Sequence, residues 1–247
     1  MILYSSTIFE EEILKIIIIG ASGKVGKALV SQIKQDEDLT LYKILNRPTE
    51  SFDGADVVID FSNFSCFKEN LRLCSESNVP LVSGTTNLSH EDFSLMQDAK
   101  IPVLYSTNFS IGIALIQKFL HEEKSHLQKG FIDIVETHDI SKADTPSGTS
   151  LSLAENFEKK NISFGTPSNR EEKDLVISSL RRKGSKGSHD VVIDLEDETL
   201  TLSHMCHSRS TYARGALLAC RFIHTKESGF YDFSDVFASK IGEFANV

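Results

Sequence analysis

The stretch that most constrains this chain is KIIIIGASGKVGKALVSQIK, from Lys15 to Lys34. Ile16 to Ile19 are consecutive β-branched apolar residues. A strand of that composition has no polar face, so it must be covered on both sides, as in the interior of a parallel sheet. Gly20-Ala21-Ser22-Gly23-Lys24-Val25-Gly26 follows directly and reads G-x-x-G-x-x-G. Val25, Leu29, Val30 and Ile33 then recur at helical spacing. Strand, glycine turn and helix start form the context in which backbone N–H groups and a helix dipole accept a pyrophosphate. Gly20, Ala21, Ser22, Gly23, Lys24 and Val25 are therefore candidates for dinucleotide binding. A tight strand-to-helix turn serving another ligand is the alternative. A nucleoside-triphosphate loop is not indicated, because Lys24 is followed by Val25 rather than Ser or Thr.

The alternation continues through residue 108. LTLYKILNR, DVVIDFS, VPLVSGTTN and IPVLYSTNFS read as strands, with FKENLRLCSESN and HEDFSLMQDA as helices between them. Short links and strict alternation predict a Rossmann-like, doubly wound parallel sheet. Ligands in such folds lie beyond the carboxyl ends of the strands. Arg47, at the end of the second strand, is placed to meet a ribose 2′-phosphate, which favours NADPH while leaving NADH open; a solvated loop residue is the bland reading. Gly84, Thr85 and Thr86, and Ser106, Thr107, Asn108 and Phe109, end two later strands and are further cofactor candidates, or ordinary turns.

After residue 108 the pattern changes. IGIALIQKFLHEEKSHL and SGTSLSLAENFEKK read as helices. FIDIVETHD, DLVISSLRRKG, HDVVIDLED and ETLTLSHMCHS read as strands joined by short turns. This predicts a second, α+β domain with a mixed or antiparallel sheet. The expected division is residues 1–108 for the cofactor, completed by a C-terminal helix at about 214–247, and 109–213 for substrate binding and oligomerisation.

The net charge of −9 argues against nucleic-acid binding, which needs a basic face. The longest apolar run, ILKIIIIG, is too short to span a bilayer, and the residues before Lys15 read as a short leader or a disordered start. Cys66, Cys74, Cys206 and Cys220 form no C-x-x-C pair, so a reducing cytoplasm is the expected setting. His204 and His207 flank Cys206, but no second close ligand pair accompanies them to make a zinc site, and no metal is expected.

ETHDISKADTPSGTS, from Glu136 to Ser150, crowds ionisable groups before a small-residue turn. His138 and Lys142 can act as general acids beside an anionic substrate. Gly148 and Thr149 would present N–H groups and a hydroxyl where a helix begins, a setting that suits a carboxylate or phosphate. A solvated loop with Ser147 or Thr149 as helix cap fits the composition equally well.

At this point the chain resembles the 4-hydroxy-tetrahydrodipicolinate (dihydrodipicolinate) reductase family. Its signature, Glu-x-His-His-x-x-Lys-x-Asp-x-Pro-Ser-Gly-Thr, is matched from Glu136 to Thr149 except that Asp139 replaces the second His. VVIDFS, SGTTN, STNFSIG, GSHDVVI and LTLSHMCHSRSTYARGAL extend the resemblance over nearly the whole chain. The resemblance implies His138 as general acid/base. It implies Lys142 as the proton donor that also holds one substrate carboxylate, with Gly148 and Thr149 on the other. Gly20 to Val25, Gly84 to Thr86 and Ser106 to Phe109 would bind NAD(P)H. The implied reaction is hydride transfer to carbon 4 of a cyclic imine carrying two carboxylates, in diaminopimelate and lysine biosynthesis, by a cytoplasmic homotetramer without metal. Asp139 takes the place of a substrate-contacting His and is a candidate substrate-binding residue, or would instead orient a neighbouring cation or raise its pKa. Aspartate and homoserine dehydrogenases are the rival enzyme reading, but they lack the His-to-Thr signature. A catalytically impaired NADPH-binding paralogue or sensor is the non-enzymatic alternative, favoured by Asp139 alone.

Overall fold

The structure is a computed structural model and describes residues 13–47, 51–128, 130–159, 161–165, 169–171 and 174–238. The expected leader at 1–12 and the end of the expected C-terminal helix at 239–247 lie outside the described residues. The chain divides into two compact units, one drawn from 1–104 and 220–230 and the other from 105–219 and 231–247.

The first unit alternates β1 (Leu14–Ile19), α1 (Lys24–Ile33), β2 (Leu39–Leu45), β3 (Val57–Asp60), α2 (Phe64–Glu76), β4 (Leu81–Ser83), α3 (His90–Asp98) and β5 (Pro102–Tyr105). Strand β1 pairs in parallel with both β2 and β3, and β3 pairs in parallel with β4. Ile16 to Ile19 are fully buried, as an all-apolar central strand requires. Leu29 and Ile33 of α1 and Phe67, Leu71 and Cys74 of α2 bury the apolar stripes of their helices. Asn63 caps α2 by accepting from Ser65 N, and Ser89 and Asp92 form a capping box on α3.

The second unit contains α4 (Ile111–Glu122), α5 (Lys124–Leu127), β6 (Phe131–His138), α6 (Gly148–Ala154), β7 (Asn161–Phe164), β8 (Asp174–Arg181), β9 (Ser188–Leu195) and β10 (Glu198–Met205). Its five-stranded sheet has the order β10-β9-β6-β8-β7 and is mixed. β6 runs antiparallel to β9 and parallel to β8. Ile132, Ile134, Leu175, Ile177, Val191 and Ile193 form its buried face, against Leu120, Leu127, Leu153 and Phe157. Alternation puts Phe131, Leu180 and Met205 on the other face, where they are exposed.

The long helix expected from Ile111 to Leu127 breaks at Glu123, whose φ of −94° and ψ of 8° leave the helical region. The helix expected from Ser147 to Lys160 stops at Ala154. There the Asn156 side chain donates to the carbonyls of Ser152 and Leu153 and draws those acceptors into a turn. Near the C-terminus come α7 (Ser210–Ile223), β11 (Gly229–Asp232) and α8 (Asp235–Ala238). β11 joins β5, giving the first sheet the order β11-β5-β4-β3-β1-β2. The Arg221 guanidinium forks onto both oxygens of Asp36, at 2.7 and 2.6 Å, and anchors the end of α7 to the first unit. Among the described residues no helix is long and apolar enough to cross a membrane.

Candidate active site

In the first unit, a cleft of about 490 Å³ lies beyond the carboxyl ends of the strands. Gly20, Ser22, Gly23 and Arg47 line it, together with Asn46, Phe61, Ser62, Asn63, Ser65 and Cys66. Gly20 has φ of +86°, and a Cβ there would fall 2.4 Å from the Phe61 carbonyl oxygen, so both conformation and space demand glycine. Gly23 caps α1 with no side-chain bond, leaving the first N–H groups of the helix to a ligand. Ala21 is buried beneath the turn, Lys24 is exposed and Val25 half-buried. The Asp60 carboxylate accepts from Ser62 N and Oγ, and its backbone carbonyl accepts from Gly84 N, which ties the β3 and β4 ends together. Thr85 is buried with Oγ1 unpartnered among the described residues, while Thr86 is exposed. A start of α1 without a side-chain cap, an exposed arginine at the β2 end and an unpartnered buried hydroxyl are groups of the kind that phosphates and sugars of a dinucleotide require. Phe61, Ser62, Asn63, Ser65 and Cys66 were not among the residues expected from the sequence, although the end of DVVIDFS was a legible strand terminus.

In the second unit, the second group of candidates gathers at the end of β6. His138 is its last residue, with a side chain only 13% exposed. Burial pushes its pKa down, partly countered by Glu136. Glu136 points to the same face and is fully buried. Its Oε2 accepts from Ser147 N at 2.9 Å and Ser150 Oγ at 2.7 Å, and its Oε1 faces the Arg181 guanidinium at 3.2 Å. Burial alone would raise the Glu136 pKa, but the bonds from Ser147 and Ser150 outweigh it and hold the group at about 2. Arg181 also donates to the Asp144 carbonyl and to Thr145 Oγ1, so one guanidinium joins the buried carboxylate to the turn that precedes Ser147.

Ser147 caps α6, accepting from Ser150 N. Gly148 is exposed, and a Cβ there would meet nothing within 4 Å. Thr149 Oγ1 accepts from Asn108 Nδ2 at 2.8 Å, which draws the loop of Ser106, Thr107, Asn108 and Phe109 to the start of α6. Within that loop Ser106 Oγ donates to the Asn108 carbonyl, Thr107 is exposed and Phe109 is buried against Phe233. Lys142 pairs with Asp144 at 2.8 Å and remains 30% exposed.

Asp139 stands beside His138 with both carboxylate oxygens hydrogen-bonded within the chain. Its Oδ1 accepts from Ser141 Oγ and N at 2.7 and 3.0 Å, and its Oδ2 accepts from Gly184 N at 2.6 Å. The Ser141 and Gly184 bonds hold its pKa at about 2. Oδ2 thus ties the β8–β9 turn to the end of β6 while Oδ1 holds the local loop at Ser141, and the nearby cation is Lys186.

His189, on the buried face of β9, was also missed. Its Nε2 lies 3.3 Å from His138 Nε2 and 3.3 Å from Ser147 Oγ. Glu136, His138 and His189 bring ligand atoms within 4.8 Å of one another, the one such cluster among the described residues. A cation held through Glu136 Oε2, the oxygen facing His138, would compete with the Ser147 and Ser150 donors there. His204, Cys206 and His207 do not converge in this way. Cys206 Sγ donates to the Ser208 carbonyl, and His204 Nε2 contacts Ser110 Oγ.

Residues 14–109 match the family described as "Dihydrodipicolinate reductase, N-terminus", and residues 112–237 match "Dihydrodipicolinate reductase, C-terminus". The 4-hydroxy-tetrahydrodipicolinate reductase of Wolinella succinogenes is 35% identical over 247 residues, covering 88% of this chain and 96% of the relative. That of Sulfurimonas denitrificans is 33% identical over 250 residues, covering 90% and 98%. Among solved structures, the dipicolinate-bound dihydrodipicolinate reductase of Paenisporosarcina sp. TG-14 superposes with a TM-score of 0.73 at 21% identity, over 89% of this chain and 97% of that one. The fold, the glycine turn and the Glu136–Thr149 signature agree with both halves of the match: the chain belongs to the dihydrodipicolinate reductase family.

Proposed function

We propose that this chain is an NAD(P)H-dependent oxidoreductase that reduces 4-hydroxy-tetrahydrodipicolinate, or its dehydrated form, to tetrahydrodipicolinate in diaminopimelate and lysine biosynthesis. The observation that carries the reading is the end of β6. Buried Glu136, paired with Arg181 and bonded to Ser147 N, ties the end of β6, which carries His138, to the turn that opens α6, which carries Gly148 and Thr149. The nicotinamide supplies the hydride when bound. Gly148 N–H and Thr149 hold one carboxylate of the substrate. Lys142 exchanges its Asp144 partner for the other carboxylate and delivers a proton to the ring, with His138 as the adjacent acid/base. Asp139 supports these groups from behind the β8–β9 turn, so the feature that favoured a sensor has a structural role.

Residues 1–108, with chain from beyond about 214, act as the cofactor domain in this reading, and 109–213 act on substrate. Gly20, Ala21, Ser22, Gly23, Lys24 and Val25 receive the pyrophosphate, and Gly84 to Thr86 and Ser106 to Phe109 serve the nicotinamide end. Exposed Arg47 favours NADPH through its 2′-phosphate. The exposed face carrying Phe131, Leu180 and Met205 supports assembly of the second sheet into a homotetramer. Four free cysteines accord with a cytoplasmic enzyme. Calorimetric titration with dipicolinate tests the anion grip. Binding that weakens at least about tenfold in Lys142→Ala and in Thr149→Val, as loss of a charge-assisted bond implies, supports it. Unchanged affinity in both variants rejects it.

A further inference from the structure

We infer that His189 is a positioning residue that fixes the tautomer of His138, holding the proton of the neutral ring on Nδ1. The inference rests on the reading of His138 as the acid/base, and its geometry is independent of that reading. Four hydrogen bonds carry it, because each group in the chain has a limited supply of protons. The ionised Glu136 carboxylate only accepts. Ser150 Oγ therefore gives its one proton to Glu136 Oε2 at 2.7 Å. Ser147 Oγ gives its own to Ser150 Oγ at 3.3 Å. Toward His189 Nε2, also at 3.3 Å, Ser147 can then only accept. His189 Nε2 must carry the hydrogen, which leaves Nδ1 bare.

The burial of His189 agrees with this direction. The residue is 4% exposed, and its Nδ1 is buried without a partner among the described residues. A buried bare acceptor is tolerated more readily than a buried unpaired N–H. Burial, then the neighbouring His138, pushes the His189 pKa to about 4, so this ring is neutral at physiological pH.

The one hydrogen on His189 Nε2 is shared, as a three-centre bond, between Ser147 Oγ and His138 Nε2, each 3.3 Å away. His138 Nε2 must be bare to receive it, and the neutral ring then holds its proton on Nδ1. That atom lies beside Gly187, where a Cβ would fall 3.2 Å from it, so glycine keeps the Nδ1 side clear. Protonating His138 at Nε2 sets two N–H groups head to head, relieved only by Glu136 Oε2 at 3.7 Å. The other charged groups acting on the ring are Lys142, Arg181 and Asp144. His189 thereby makes Nδ1, the nitrogen turned away from the buried cluster, the one with a proton to exchange.

Imidazole ¹⁵N spectroscopy of the full chain tests this directly, with signals assigned by their loss in H138Q and H189F. The wild type should show the Nδ1–H tautomer for neutral His138 and Nε2–H for His189. In His189→Phe the ring remains but the donor is gone. His138 should move toward the Nε2–H tautomer, facing Glu136, with kcat falling on the order of tenfold and KM for the dicarboxylate nearly unchanged. Wild-type His138 in the Nε2–H form, or a tautomer unmoved in H189F, overturns the inference. Ser150→Ala is the second probe, needed if H189F does not fold. It frees the Ser147 hydroxyl to donate to His189, so His189 should shift toward Nδ1–H, and an unshifted His189 counts against the chain of bonds. The spectra need no turnover, so a wild type with the expected tautomers and no reductase activity would refute the proposed function and leave this inference standing.

Discussion

Replacing Glu136 by Gln asks how much one buried carboxylate contributes. Gln is neutral and of the same shape, so it stands in for the protonated acid. The native pKa of about 2, reached because the Ser147 and Ser150 bonds overcome burial, lies below the ordinary 4.5 by roughly 2.5 units. At 1.36 kcal/mol per unit, the ionised group stabilises the fold by about 3 kcal/mol at neutral pH. The alternative route to the same figure is removal of one partner from a buried ion pair, at 3–5 kcal/mol. Arg181 retains 21% side-chain exposure, which favours the low end. The native pKa is depressed, so this stability is fully present above about pH 4.5 and is lost as pH falls toward 2. Urea unfolding at fixed protomer concentration should therefore separate wild type from E136Q by about 3 kcal/mol at pH 7 and by roughly half that at pH 3. A gap below about 1 kcal/mol at pH 7, or one that does not narrow with acid, would refute the assigned charge state.

His189 gives a second acid sensitivity. Its pKa of about 4 lies below the ordinary 6.5 because of burial and His138, so the unfolded chain binds the extra proton first. Stability should fall as pH drops from about 6.5 to 4, by up to about 3 kcal/mol, and this slope should flatten in H189F; an identical slope in both proteins rejects it. Asp139→Ala should release the β8–β9 turn, seen as faster hydrogen exchange at the Gly184 amide, while dipicolinate still binds. Loss of dipicolinate binding with unaltered exchange would instead make Asp139 a direct ligand. Arg47→Ala should raise the KM for NADPH about tenfold and leave NADH within about twofold, the signature of a lost phosphate contact. Equal effects on both cofactors would assign Arg47 no part in the choice.

What was legible in the sequence was local in the chain. Ile16–Ile19 declared a central strand because no polar side chain interrupts it, and the glycine turn followed from its place before α1. The Glu136–Thr149 signature identified the candidate site because its groups lie within one short run. What was hidden depends on sheet register. Glu136 stands opposite His189 on β9, and His138 opposite Arg181 on β8. Those pairings join residues 53 and 43 positions apart, and no periodicity within either strand announces them. The contact of Asp139 with Gly184 was hidden for the same reason, since Gly184 sits in a turn brought over by that register. β11, four residues long, was too short for its alternation to stand out.

The central claim is most directly tested by steady-state oxidation of NADPH with freshly generated 4-hydroxy-tetrahydrodipicolinate, comparing wild type with H138Q and K142A. The account predicts turnover by the wild type and losses on the order of a hundredfold or more in kcat for both variants, each still binding NADPH. A wild type that binds NADPH without oxidising it, or variants that turn over at the wild-type rate, would contradict it.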